Sequence, residues 1–267
     1  GKKISRIFMH LFLIIIAIIM ILPFVWMVLT SFKSVTESTQ MNPFVIFPSQ
    51  WRIENYIEVI KGNDFLALYI NTFLMMIFRV ICSVLFSAMA AYAFARLEFP
   101  GRNFLFGLVL FQMMIPAQIF IVPQFLLVQK LGLLNTISAL VIPGIVSAFG
   151  TFLLRQFFMG LPKELEEAAK LDGCNTWQTF YKVMLPLARS GLVALGIFTA
   201  LFAFKDLMWP LVVNMSVDKM TLSAGLASLQ GQFSTNYPQL MAGSVLAIWP
   251  MLIIFVIFQR KFIEGIA

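Results

Sequence analysis

The sequence predicts an all-α integral membrane protein of six transmembrane helices, with a helix-turn-helix loop held outside the bilayer. Three observations predict it. Of the 267 residues, 60% are hydrophobic and only 12% charged, with a mean hydropathy of +0.91. Soluble domains are about 45–50% apolar and about 25% charged. Six apolar runs approach the roughly twenty residues that cross a hydrocarbon core. Finally, Lys and Arg gather on one side of those runs, the usual mark of a cytoplasmic face.

The runs cover 8–30, 69–95, 103–122, 134–154, 189–213 and 240–259. The first is too long for a signal-peptide core and has no small-residue cleavage site after it, so it predicts a retained anchor. Asn135, Thr136 and Ser138 make the start of the fourth run polar. Pro23, Pro116, Pro143, Pro210 and Pro250 fall in or beside the runs. Membrane helices tolerate this because neighbours or water satisfy the freed carbonyls; kinked packing and a flexible pathway both fit. Lys2, Lys3, Arg6, Arg96, Arg102, Arg155, Lys163, Lys170, Lys182, Arg189, Arg260 and Lys261 lie on one side. Lys33, Arg52, Lys61, Lys130 and Lys219 lie on the other. Both termini are therefore expected in the cytoplasm.

Several functions are disfavoured. Cys82 lies in an apolar run and Cys174 in a polar loop, which argues against a disulfide. His10 is the single histidine, so no His/Cys metal cluster is expected. The net charge of +7 is accounted for by the loops flanking the spans, with no need for nucleic acid. There is no G-x-x-x-x-G-K-[ST] phosphate loop, and no carboxylate pair or nucleophile–base set that chemistry would need stands out. A secondary transporter would show inverted repeats, and none is visible.

The polar stretch 156–189 is the most informative. Pro162 suits a first helical turn. Glu164, Glu166 and Glu167 favour the positive end of a helix dipole, with Lys170 near the other end. Gly173 can take positive φ and stop the helix. Asn175 is then an N-cap, with Gln178 as its capping-box partner. Trp177, Phe180 and Tyr181 follow, and Pro186 ends the second helix. Ala168 and Ala169 are expected to make one surface small. A hairpin lying on the membrane surface and a docking module for another protein both fit these residues.

Glu167-Ala168-Ala169, three residues, Gly173, nine residues, Val183, one residue and Leu185-Pro186 resemble the EAA loop of ABC importer permeases, with Val183 for the usual Ile. The resemblance extends through Thr30-Ser-Phe-Lys33, Glu54-Asn-Tyr56, Asn71-Thr72, Ala90-Ala-Tyr-Ala-Phe-Ala-Arg96, Phe99-Pro-Gly-Arg102 and Leu131-Gly-Leu-Leu-Asn-Thr136. These are similar to the maltose-type carbohydrate permeases, specifically the second permease of the pair. The resemblance implies one permease domain over 1–267, with 156–189 as its cytoplasmic coupling loop, in a bacterial cell membrane. It implies a heterodimer with a related permease, two ATPase subunits that bind ATP and Mg, an extracellular sugar-binding protein, and no cofactor on this chain. It places Glu167, Ala168, Ala169, Asp172, Gly173, Leu185 and Pro186 in ATPase coupling. An oligosaccharide such as a maltodextrin or a raffinose-type α-galactoside is the implied cargo. An importer for amino acids, metals or oxyanions shares the loop and stays open.

Charged residues inside spans are functional candidates by default. Arg79 lies in the second run, and Lys205 and Asp206 in the fifth. The family usually shows a Trp-Asn-Asp/Glu-Phe-like stretch there; this sequence has Phe204-Lys-Asp-Leu-Met-Trp-Pro-Leu211. An Arg79–Asp206 ion pair and a pathway for sugar hydroxyls, with Asn71, Arg79, Lys205, Asp206 and Trp209 along it, are both open. The resemblance also makes Gln230, Gly231, Gln232 and Tyr237, on an outer loop, candidates for contact with the binding protein.

Overall fold

The computed structural model describes residues 2–62, 64–231 and 235–266. All regular structure among them is helical: α1 (Lys2–Ser31), α2 (Val35–Thr39), α3 (Glu54–Gly62), α4 (Phe65–Arg96), α5 (Arg102–Met114), α6 (Ile121–Lys130), α7 (Ile137–Val141), α8 (Ala148–Gly160), α9 (Glu164–Leu171), α10 (Thr176–Thr179), α11 (Leu185–Leu187), α12 (Arg189–Lys205), α13 (Met208–Val213), α14 (Leu222–Ser228) and α15 (Tyr237–Ile266). Among the described residues three helices are long and apolar enough to cross a membrane: Arg6–Ser31, Phe65–Arg96 and Tyr237–Gln259. Three bent pairs pass the same length-and-composition test, and counting each as one span gives six.

Two of the bends fall at prolines singled out in the sequence. The third run breaks by 100° between Arg102–Met114 and Ala117–Lys130. Ile115 and Pro116 are both extended there, as expected for a proline and the residue before it. The fourth bends by 47° after a 3₁₀ turn, Ile142–Gly144, that contains Pro143. The fifth is cut short. Its helix stops at Lys205, Asp206 is extended, and a separate short helix starts at Met208. Pro23 and Pro250 lie inside continuous helices. The polar motifs at the ends of α4 and α6 make turns: Gly101 (φ 80°) and Gly132 (φ 68°) are left-handed, as is Asn135 at φ 58°. The Asn135 side-chain oxygen accepts from the Met215 and Ser216 amides.

The chain forms two compact units, residues 1–65 with 225–254 and residues 66–224 with 255–267. The core of the second unit joins Ala88, Ala91 and Tyr92 of α4, Leu154 and Phe158 of α8, Phe180 and Met184 of a π-helical turn, and Ala188 and Leu195. The two alanines of α4 let neighbouring backbones approach. The aromatic rings fill the gap: Tyr92 lies 5.7 Å from Phe158 and 5.1 Å from Phe180. At Gly191 a Cβ would stand 2.7 Å from the Phe157 ring, so α12 meets α8 at a distance only glycine permits. Many large apolar residues nevertheless face outward, and none of the apolar stretch of α1 is buried. That is the inverse of a soluble core and suits lipid contact.

In the first unit, the segment after α1 closes on itself through Glu37. Ser34 and Glu37 form a capping box around α2, and the Ser49 amide donates to the same carboxylate at 3.0 Å. The Ser34 amide bond, joined by the Ser49 contacts, holds the Glu37 carboxyl down from 4.5 to about 2. A carboxyl with a depressed folded pKa contributes stability above its unfolded value and loses it as pH falls through the folded one. Glu37→Gln is therefore expected to speed amide exchange at Ser34 and Ser49 several-fold at neutral pH. Referenced to that variant at each pH, the protection should hold down to about pH 4.5 and fade toward pH 2. A flat difference between the two proteins across that window would refute the staple.

Candidate functional site

Two features of the second unit stand out: a cavity at the broken spans and an exposed helical element rooted in the core.

The cavity has a volume of about 500 Å³, within the roughly 300–1,000 Å³ of small-ligand sites. Arg79, Lys205, Asp206 and Trp209 line it, together with Gln112, Gln118 and Gln124. Arg79 Nη1 donates to Asp206 Oδ2 at 2.7 Å, and Arg79 Nε donates to the Leu140 carbonyl at 2.7 Å. Their side chains are 11% and 22% exposed. Arg79 also fills the space beside Gly144, where a Cβ would stand 3.1 Å from its Cδ. Lys205 is the last residue of α12, where a cation complements the helix dipole. It makes no ion pair among the described residues, and its ammonium lies 5.6 Å from the Phe202 ring.

Two expected pathway residues sit differently. Asn71 is outside the cavity lining. Its amide donates to the Asp218 and Met220 carbonyls, and Thr72 Oγ1 accepts from the Leu222 amide, so this pair clamps the segment after α13. Trp209 lines the cavity but is only 6% exposed. Its indole N–H is used on the Ala139 carbonyl at 2.9 Å, so it offers little free aromatic face. The three glutamines were not picked out from the sequence. Each amide both donates and accepts, which suits a polyhydroxylated solute. The available signal was an uncharged polar residue inside an apolar run for Gln112 and Gln118, and just beyond it for Gln124.

The second feature is the segment 163–188. Helix α9 carries its three glutamates in the first turn and Lys170 in the last. It ends in a Schellman arrangement, with Cys174 N–H donating to Ala169 O (2.9 Å) and Gly173 N–H to Lys170 O (3.0 Å). Gly173 has φ 84° and open space around it. Asn175 caps α10 and Gln178 closes the capping box. Phe180 and Met184 then plunge into the core. Arg96 fixes the other side: it donates to the Phe158 and Leu161 carbonyls at the end of α8 and lies 3.9 Å from Glu166.

Some details depart from expectation. Pro162 lies ahead of the first turn, because Lys163 is the N-cap of a helix that starts at Glu164. Ala169 is buried, so of the two alanines only Ala168 faces outward. Pro186 is the second residue of α11, which ends at Leu187; Ala188 alone separates it from α12, at a bend of 76°. Glu167, Asp172 and Gly173 are exposed, while Leu185 packs against the core. The sequence reading missed Leu171, which is 90% exposed at the helix end; Trp177 nearby is 56% exposed.

In the first unit Gln230, Gly231 and Tyr237 are exposed, and Gln232 lies outside the described residues. Cys82 and Cys174 are free thiols. Among the described residues no group of three His, Cys, Asp or Glu could hold a metal.

The chain is 42% identical over 253 residues to the arabinooligosaccharides transport system permease protein AraQ of Halalkalibacterium halodurans, covering 94% of this chain and 91% of that one. It is 35% identical to the diacetylchitobiose uptake system permease protein NgcG of Streptomyces coelicolor, covering 94% and 84%. Its fold matches a chain from the crystal structure of a bacterial ABC transporter involved in the import of the acidic polysaccharide alginate, at a TM-score of 0.83, 25% identity, and coverage of 98% and 97%. Residues 83–266, which include the cavity's fifth-span wall and the whole exposed element, match the family described as binding-protein-dependent transport system inner membrane component, and the chain belongs to that family.

Proposed function

We propose that this membrane permease carries an oligosaccharide inward and forms one half of the translocation pathway. A related permease forms the other half. A separate pair of ATPase subunits, which bind ATP and Mg, drives it, and an extracellular binding protein delivers the sugar. Both termini lie on the cytoplasmic side in this reading. The coupling element carries the proposal. A capped helix, a left-handed glycine and a second helix are anchored by Phe180 and Met184, while Glu167, Ala168, Asp172 and Gly173 face out.

That construction suits a lever. Motion of the ATPase surface would reach α4, α8 and α12 through packed side chains rather than through a slack loop. Leu171 and Trp177 supply apolar area for a cleft on the ATPase, and Glu167 supplies a charge for a basic partner. Coupling then works through an element whose two positions ATP and cargo both bias. The cavity with its three glutamine amides is the part of the pathway this chain contributes. The carbohydrate class is supported by relatives named for arabinooligosaccharide and diacetylchitobiose transport.

The test is ATP hydrolysis by the reconstituted complex of both permeases, ATPase and binding protein, across a panel of oligosaccharides. Stimulation by one sugar class is the expected result. No stimulation by any sugar in an intact complex would end the carbohydrate reading and turn the panel to amino acids, metals and oxyanions.

A further inference from the structure

The segment that follows α1 is a closed loop that doubles back. Its ends meet where the Arg52 amide donates to the Phe32 carbonyl at 3.1 Å and Trp51 stands edge-on to Phe32 at 5.1 Å. Glu37 staples the interior, as described above. The tip then returns to the side of α1. Phe44 stacks on Trp26 with centroids 5.3 Å apart and planes within 1° of parallel. Lys33, fully buried, donates to the Val45 carbonyl at 2.7 Å and holds its ammonium 3.9 Å from the Trp26 centroid.

Trp26 lies five residues before the end of α1 at Ser31. At about 1.5 Å per residue, the tip therefore reaches back roughly 7 Å along a helix whose apolar stretch is exposed all round. The tip stands beside a helix long and apolar enough to cross a membrane. Its composition fits that place. No residue from 38 to 51 is charged. Met41 is 87% and Phe47 67% exposed, and Phe44 and Ile46 are exposed beside them. The nearest charges inside the loop, Lys33 and Glu37, are engaged within it. Pro43 and Pro48 lack N–H groups that would lose water on entering lipid. Trp26 and Trp51 are the residue type that collects at membrane interfaces.

We infer that residues 41–47 are an interfacial anchor, with Met41, Phe44, Ile46 and Phe47 inserted into the lipid leaflet at the Ser31 end of α1. Lipid is the occupant assigned to this apolar face because residues 38–51 carry no charge and the face continues the exposed apolar surface of a membrane-spanning helix at the level of Trp26. The anchor would hold the end of the first span and the closed loop at a fixed depth.

The test uses the assembled complex in nanodiscs, with Cys82→Ser and Cys174→Ser as background. Phe47→Cys carries an environment-sensitive fluorophore, and Gln50→Cys, at the exposed base of the loop, serves as the reference site. At position 47 the expected result is blue-shifted emission, most of which is lost to a nitroxide placed near the lipid glycerol and little to aqueous iodide. At position 50 iodide should be the effective quencher. Iodide quenching at position 47 would put the tip in water, and resistance to both quenchers would put it under protein. Either result would overturn the anchor.

Discussion

Replacing Gly173 with proline is expected to abolish transport while leaving the ATPase subunits able to hydrolyse ATP. The residue has φ 84° and donates its N–H to the Lys170 carbonyl at 3.0 Å. Proline fixes φ near −65° and has no N–H, so both the turn and the bond are lost, at about 3 kcal/mol or more. The angle between α9 and α10 changes with them. Because nothing lies within 4 Å of a Cβ built at this site, alanine suffers only the left-handed penalty of about 1–2 kcal/mol. Asparagine, which tolerates that region better, suffers less. Uptake should therefore fall in the order asparagine, alanine, valine, proline. Sugar uptake and sugar-stimulated ATP hydrolysis measured side by side would check it. Full uptake by an assembled Gly173→Pro complex would remove Gly173 from the coupling mechanism.

The second large effect is expected at the Arg79–Asp206 pair. Removing one partner of a fully buried ion pair typically costs about 3–5 kcal/mol because the other charge is stranded, and this half-buried pair, with side chains 11% and 22% exposed, should lose part of that. The two single variants should not be equal. Asp206→Asn strands a guanidinium that cannot give up its proton, leaving it neutral acceptors such as the Leu140 carbonyl in place of a carboxylate. Arg79→Gln strands a carboxylate that can take up a proton, and one that is more exposed, 22% against 11%. Asp206→Asn should therefore be the more destabilising, and Arg79→Gln with Asp206→Asn should recover much of the loss. Thermal unfolding of the complex in nanodiscs gives the stability, and uptake gives the function. Unchanged stability with lost uptake in Asp206→Asn would make Asp206 a pathway residue rather than half of a brace. Additive losses in the double variant would dissolve the pair as a unit.

The sequence by itself determined the membrane class, the six apolar runs and the helix-turn-helix element that follows α8. The physical reason is range. Hydropathy over about twenty residues decides whether a segment enters lipid. The helix-turn-helix element is made of contacts within a few residues: Asn175 with Gln178, and Cys174 with Ala169. Caps and turns of that kind are legible from residue types alone. Even there, burial was not legible. Ala168 and Ala169 are identical in sequence, and only packing against the core turned one inward and left the other out.

Only the tertiary structure decided the cavity. Arg79 and Asp206 are 127 residues apart, and Trp209 reaches Ala139 across 70. The glutamines make the point most clearly. On one straight helix at 3.6 residues per turn, Gln112, Gln118 and Gln124 would be spaced by about 240° and would share no face. The 100° break at Ile115 and Pro116 turns Gln112 toward the half that carries Gln118 and Gln124, the 3₁₀ turn Ala117–Phe120 changes the phase between those two, and all three line one cavity. Pro116 announced that the helix would be interrupted, but the angle of the break depends on which neighbours pack against each half. No short window of sequence holds that information.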